Sequence, residues 1–331
     1  MLINPILAPA FSQVMNMPQI KQITVFGGTG FIGRHLVRRL AKTGATLCIP
    51  TRDLEKALIL KPMGNIGQIV PFFCSTRSDA SIVQAVRHSD AVINLIGILY
   101  EKGQNSFQSV HVETAARLAR LAKEAGAKHF VHMSALGASD TSLSSYARSK
   151  AAGEQAVRMF FPEAMIARPS VVFGPEDNFF NLFAMLTRFL PILPLIGGGM
   201  TKFQPVYAGD IAEALTQGLY TSETRGKSYE FGGPQIYSFR EILELILRVT
   251  DRRRFLFNLP WSLATLQAMF MELLPHPLLT RDQLKLLKTD NVLGNPNANG
   301  LIELGLAPTA VEVILPTYLG WLRKNPQGRY I

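Results

Sequence analysis

Three clusters of residues in this chain have the types and spacing to do chemistry. The first is Gly27-Gly28-Thr29-Gly30-Phe31-Ile32-Gly33, which follows the apolar run Ile23–Phe26 and opens a stretch of helical periodicity. A pyrophosphate needs backbone N–H groups at a helix N-terminus, and side chains there would block its approach. The G-x-G-x-x-G spacing between a strand and a helix therefore points to a dinucleotide rather than to a merely tight turn. Gly27, Thr29, Gly30, Phe31, Ile32 and Gly33 are the candidate contacts.

The second cluster is the corner where the second strand should end, Pro50-Thr51-Arg52. An NAD-selective site places an acidic residue there for the ribose 2′-hydroxyl. Here Arg52 occupies the corner and Arg34 follows the last glycine of the turn. Two guanidinium groups suit a 2′-phosphate, which they grip through paired charge-assisted hydrogen bonds. NADP(H) is thus favoured over NAD(H); the competing reading leaves both arginines solvated and gives the ribose to Asp53.

The third is Tyr146-Ala-Arg-Ser-Lys150, with Ser134 at the end of the fifth apolar run. Tyr and Lys at i, i+4 share a helix face. The ammonium is expected to lower the phenol's pKa and contact a nicotinamide ribose, leaving Tyr146 as proton donor to a carbonyl. Tyr146, Lys150 and Ser134 are the candidate catalytic residues, and an exposed helix pair is the plainer alternative. Cys48 and Cys74 read as packing residues, and the six scattered His residues offer no metal spacing.

The elements that must position these residues follow a βαβ rhythm. Ile23–Phe26, Thr46–Ile49, Ile69–Phe73, Ala91–Ile96 and His129–Met133 are short, nearly all-apolar runs, as parallel strands covered on both faces require. Helical periodicity fills Phe31–Lys42, Ser81–Arg87 and Phe107–Glu124 between them. Met165–Ala167 and Ser170–Phe173 are expected to extend the sheet. The pattern predicts an α/β chain: a Rossmann-type doubly wound parallel sheet over residues 20–175, continued by later segments, and a smaller α/β lobe over 176–331. In that lobe Trp261–Leu274 is apolar on nearly every face, which fits either a core helix or one docked on a partner or on lipid, with Arg252–Arg254 facing anionic headgroups.

Composition narrows the classes. At 331 residues and 47% hydrophobic the chain can bury a sizeable core, and its two cysteines fit a reducing compartment. No apolar run is long enough to span a bilayer. The first 20 residues lack Lys and Arg, which argues against a signal or transit peptide. Residues 1–150 hold 17 Lys and Arg against 8 Asp and Glu, whereas 151–331 hold 17 against 16. A basic first half could attract phosphorylated ligands or an anionic surface. Without a basic block longer than Arg252–Arg254 or any nucleic-acid motif, nucleic acid is not an expected partner.

Taken together, these features resemble the extended or atypical branch of the short-chain dehydrogenase/reductase superfamily over residues 20–325. The shared stretches are Gly27–Gly33, Asn94-Leu-Ile-Gly97, Tyr146/Lys150, Arg168-Pro169-Ser170 and Pro205-Val-Tyr-Ala-Gly-Asp210. More narrowly, Tyr146-Ala-Arg-Ser-Lys-Ala-Ala-Gly-Glu154 and Phe173-Gly-Pro-Glu-Asp177 resemble the nucleotide-binding accessory subunits of mitochondrial-type respiratory complex I. The resemblance implies cofactor contacts at Ser75, Gly97, Lys150 and Pro169 as well. It also implies complex I subunits as partners and tight NADPH binding with little turnover. The lack of a transit peptide points to a bacterial chain, and Arg252–Arg254 before the apolar Trp261–Leu274 predict a peripheral place on the cytoplasmic face of the inner membrane. Three positions depart from the superfamily pattern. Ala135 takes the slot of the carbonyl-polarising Ser or Thr, Ser75 stands where relatives carry an adenine-contacting Asp, and His111 replaces a usual Asn. The alternative is an active reductase, epimerase or dehydratase on a quinone precursor, isoprenoid, sterol or sugar nucleotide.

Overall fold

The computed structural model describes residues 20–295 and 298–323. The reading of the N-terminus as free of a targeting peptide concerns residues 1–19, outside the described residues. Strands β1 (Gln22–Phe26), β2 (Thr46–Thr51), β3 (Ile69–Phe73), β4 (Ala91–Asn94), β5 (His129–Met133) and β6 (Met165–Pro169) come first. They alternate with helices α1 (Phe31–Ala41), α2 (Leu54–Leu58), α3 (Asp79–Val86), α4 (Thr114–Glu124) and α5 (Ser145–Phe160). Beyond Pro169 come β7 (Val172–Phe173), α6 (Phe180–Phe189), β8 (Ile192–Ile196), β9 (Lys202–Phe203), β10 (Val206–Tyr207) and α7 (Ala208–Tyr220). The remainder is β11 (Ser228–Phe231), β12 (Tyr237–Ser238), α8 (Phe239–Val249), β13 (Phe255–Leu259), α9 (Trp261–Met271), α10 (Arg281–Leu287), α11 (Gly300–Glu303) and α12 (Val311–Leu319).

Seven strands form the main sheet in the order β11-β6-β5-β4-β1-β2-β3, with every neighbouring pair parallel. All residues of β4 and β5 are buried, which explains why their sequences lack polar alternation. Ile23 and Val25 of β1 pack with Leu36 and Leu40 of α1 and Ile211 and Leu215 of α7. Phe26 faces the opposite side, with Ile82, Leu118 and Val157 from α3, α4 and α5. The order reverses between β1 and β4, and the crevice this opens lies at the strands' carboxyl ends.

The sequence misplaces one strand. Residues Ser170–Phe173 do not extend the main sheet; β7 pairs with β10 in a separate two-stranded ribbon. A parallel neighbour needs a crossover of about a dozen residues, and Ser170 follows Pro169 directly. The place beside β6 goes instead to β11, in register from Ser228 opposite Ile166 to Phe231 opposite Pro169.

A second core gathers Phe180, Leu193, Phe239, Ile242, Ile246 and Leu315 from α6, β8, α8 and α12. Helix α9 is not part of it. Only Ala264 and Ala268 are buried, while Phe270 is 60% exposed and Leu263, Leu266 and Met269 also face outward. No described helix is long and apolar enough to cross a membrane.

Candidate nucleotide and carbonyl site

The glycine turn sits where β1 hands over to α1. Gly27 has φ of +81°, and its carbonyl accepts the Gly30 N–H at 3.0 Å. A Cβ on Gly33 would collide with the Gly27 carbonyl oxygen and lie 2.7 Å from the backbone of Gly28. Only glycine lets α1 start this close to the turn. Gly30 is the N-cap without a side-chain hydrogen bond, and the first turn of α1 has no acidic residue. The first N–H groups and the positive end of the helix dipole therefore face an open anion position.

At the β2 corner, Asp53 is already engaged. Its carboxylate caps α2 by accepting the Lys56 N–H at 2.9 Å, and its own N–H donates to the Thr51 hydroxyl. Arg52 is exposed, and its guanidinium has no ion-pair partner among the described residues. Arg34 donates from Nε to the Thr29 carbonyl at 3.2 Å and lies 3.8 Å from Glu176. Arg52 is thus free for an anionic ligand, while Arg34 is shared with a carboxylate. Ser75, past the end of β3, donates its N–H to Ser81 Oγ and accepts the Arg77 N–H.

The carbonyl side is built by the ends of β4 and β5 and by α5. A Cβ on Gly97 would lie 3.7 Å from His111 Nε2 and 3.8 Å from Lys150 Nζ, so the fold brings these three together. Lys150 is buried and donates to the Met133 carbonyl at 2.7 Å, and burial pulls its ammonium down to about 8. Tyr146 packs edge-on against Phe107 and His111. The expected lowering of its phenol pKa is not found. Burial instead pushes it up to about 12, because loss of water disfavours the phenolate while the Lys150 ammonium is committed to Met133. The phenol stays protonated at neutral pH, which is the form a donor needs.

His111 lies in a π-helical segment, Gln108–Glu113, that leads into α4. Its Nε2 accepts the Ile98 N–H at 3.0 Å, which leaves Nδ1 to donate to Ser149 Oγ at 2.8 Å. Ser149 in turn donates to the Tyr146 carbonyl. These contacts select one neutral tautomer, and burial, reinforced by Lys150, pulls the His111 pKa down to about 3. Ser134 is buried and its hydroxyl has no hydrogen-bond partner; Ala135, the next residue, is half-buried and has no hydroxyl to offer. The Pro169 carbonyl accepts the Leu136 N–H at 2.8 Å, and Arg168 grips Glu154 of α5 through two hydrogen bonds of 2.9 and 2.6 Å. No group of His, Cys, Asp and Glu suited to a metal occurs among the described residues.

One residue of the site has no sequence signal. Asp282 of α10 accepts hydrogen bonds from Ser144 Oγ and from the N–H groups of Ser145 and Tyr146, at 2.7, 2.8 and 2.9 Å. It crosses more than a hundred residues of chain to hold the start of the Tyr146/Lys150 helix.

The family model of the NAD dependent epimerase/dehydratase family matches residues 23–232. The chain belongs to that family. Its fold matches that of the dTDP-glucose 4,6-dehydratase of Streptomyces venezuelae, solved with NAD, with a TM-score of 0.70 at 20% identity over 92% of this chain and 97% of that one. Along its sequence it is 39% identical over 314 residues to NADH dehydrogenase (ubiquinone) 1 alpha subcomplex subunit 9 of Arabidopsis thaliana, spanning 91% of this chain and 78% of the plant protein. A ceramide reductase of Caulobacter vibrioides is 33% identical over 184 residues, 53% of each chain. A nicotinamide dinucleotide is the cofactor of this family, and the Gly27–Gly33 turn fits its pyrophosphate.

Proposed function

We propose that this protein is an NADP(H)-binding accessory subunit of respiratory complex I, one that holds its nucleotide with little turnover. The observation that carries the reading is a complete nucleotide cradle beside an incomplete carbonyl site. The turn and the start of α1 are open to a pyrophosphate, whereas the Ser134 hydroxyl is buried and Ala135 has none. The similarity to a complex I subunit along most of the chain supports the same conclusion.

In this reading the backbone of Gly27, Thr29, Gly30, Phe31, Ile32 and Gly33 holds the pyrophosphate, and Arg52, helped by Arg34, holds the 2′-phosphate. Ser75 lies on the adenine side; Gly97, Lys150 and Pro169 lie on the nicotinamide side. When bound, the cofactor supplies a hydride. Tyr146 holds a donatable proton, and Lys150 and Asp282 fix the helix that presents it. Arg52→Ala should weaken NADPH binding by about 1.5–3 kcal/mol through loss of charge-assisted bonds, and leave NADH almost unaffected. Equal losses for both nucleotides in calorimetric titrations would refute the 2′-phosphate assignment.

The chain then sits peripherally on the cytoplasmic face of a bacterial inner membrane, with the outward apolar side of α9 against lipid and complex I subunits as neighbours. Affinity purification from detergent-solubilised membranes should recover complex I subunits with it. The Tyr146/Lys150 pair and the similarity to a ceramide reductase favour a second reading, an active reductase. Robust NADPH-dependent turnover of a carbonyl substrate would select that reading over the first.

A further inference from the structure

A cavity of about 380 Å³ lies between the two halves of the chain. That is within the usual size of small-molecule sites. Its inner wall includes Phe107, whose ring meets the Tyr146 ring edge-on at 5.8 Å, and Asp282, which holds the Tyr146 N–H. The cavity is therefore separated from the Tyr146 side of the carbonyl site by the Phe107 ring. The first half supplies the loop after β4 and the second half the connection from α9 to α10. The two are tied by Tyr100 Oη and His276 Nδ1 at 2.9 Å.

The charged groups of the wall decide what can enter. Phosphate sites present several N–H donors or guanidinium groups converging on one point. Among the described residues of this wall Lys102 is the one cation, against Glu101, Glu272 and Asp282. Each carboxylate is already used: Glu101 accepts the Phe107 N–H, Glu272 pairs with Arg281, and Asp282 caps α5. An anionic head would meet three carboxylates against the single ammonium of Lys102, and like charges disfavour it. An uncharged hydroxyl, amide or carbonyl group meets no such penalty.

The way out is apolar. Leu274, Pro275 and Pro277 line the cavity, and Leu274 is 53% exposed. Leu273, at 81% exposure, and Phe270 continue the apolar surface back along α9. A chamber lined by both carboxylates and apolar side chains thus opens beside apolar side chains that no described residue covers.

We propose that this cavity binds the uncharged polar head of an amphiphile whose alkyl chain runs out over α9. The proposal rests on the peripheral-membrane reading above and adds a ligand to it. The probes are hexanoyl ceramide and, as the anionic control, dihexanoyl phosphatidate, titrated into the full chain saturated with NADPH. The neutral probe should bind saturably at one per chain and at least about tenfold more tightly than the phosphatidate. Leu274→Trp, which narrows the mouth at an exposed position, should weaken the neutral probe by about tenfold or more. Pro277→Trp repeats the measurement should the first variant lower the melting temperature. Equal binding of the two probes, no binding of the neutral one, or binding unmoved by both Trp variants would overturn the proposal. NADPH affinity and recovery with complex I subunits, measured on the same samples, report separately on the function proposed above.

Discussion

His111 is the residue whose chemistry is most exposed to test. Its folded pKa of about 3 lies well below the ordinary 6.5. Between those values the unfolded chain binds a proton that the folded chain refuses, so stability falls as pH drops through that window. The slope approaches about 1.4 kcal/mol per pH unit for one proton. His111→Asn keeps a donor near the Nδ1 position for Ser149, gives up the Nε2 acceptor of the Ile98 N–H, and removes the titration. Denaturant midpoints measured from pH 7 to pH 5 should therefore fall less steeply in the variant, and parallel profiles would contradict the assignment. Burial also keeps His132 neutral, so a part of the acid limb should persist in both proteins. Tyr146→Phe is a second test at this scale. The phenol touches rings and not the glycine turn, so NADPH affinity should stay within about twofold, checked by the same titrations as for Arg52→Ala.

At the scale of elements, the position of α5 depends on a cap supplied from the other half of the chain. Ser144 already caps the helix from its own sequence by accepting the Ala147 N–H. Asp282 adds a carboxylate at the positive end of the dipole and satisfies two further N–H groups. Asp282→Ala should cost about 1–3 kcal/mol of stability, in the range of a lost cap with buried donors left unpaired. Asp282→Asn keeps an acceptor and should recover part of it. Chemical denaturation of both variants measures this. An alanine variant as stable as the parent would mean that the contact carries no net energy.

For the whole molecule, the decisive feature is an apolar surface with none of the described residues against it. Besides the outward side of α9, Phe255 and Phe257 of β13 and Ile192 of β8 are exposed. The arginines before β13 do not form the cationic rim that their sequence suggests. Arg252 donates to the Leu322 carbonyl and Arg254 to the Thr187 carbonyl, which leaves Arg253 as the exposed one. Membrane attachment should therefore follow the apolar side chains. Leu266→Gln combined with Phe270→Gln should lower flotation with anionic vesicles and leave the melting temperature nearly unchanged, because exposed positions contribute little to folding. Arg252→Gln should do the reverse, since its guanidinium is partly buried and ties the last described turn to α8. Flotation that is indifferent to the apolar pair would remove α9 from the contact.

The nucleotide half was legible in the sequence because its signals are local. A strand, a glycine turn and a helix start lie within a dozen residues, and parallel strands buried on both faces announce themselves as apolar runs. The i, i+4 spacing of Tyr146 and Lys150 is likewise a property of one helix. Tertiary structure decided everything that depends on which segments meet. It assigned the seventh strand to β11 rather than to Ser170–Phe173, and it brought Asp282 to the start of α5. It turned Arg252 and Arg254 inward, and it raised the Tyr146 phenol where pairing with Lys150 had suggested lowering. Trp261–Leu274 read equally well as a core helix or a surface one, because uniform apolarity says that a helix wants cover without saying from what. Only the packing of Ala264 and Ala268 against Ile196 and Leu284 shows that, among the described residues, the helix's small side chains are covered and its large ones are left outside. Local spacing encodes backbone geometry and periodicity, whereas burial, pairing and protonation depend on neighbours that only the folded chain supplies.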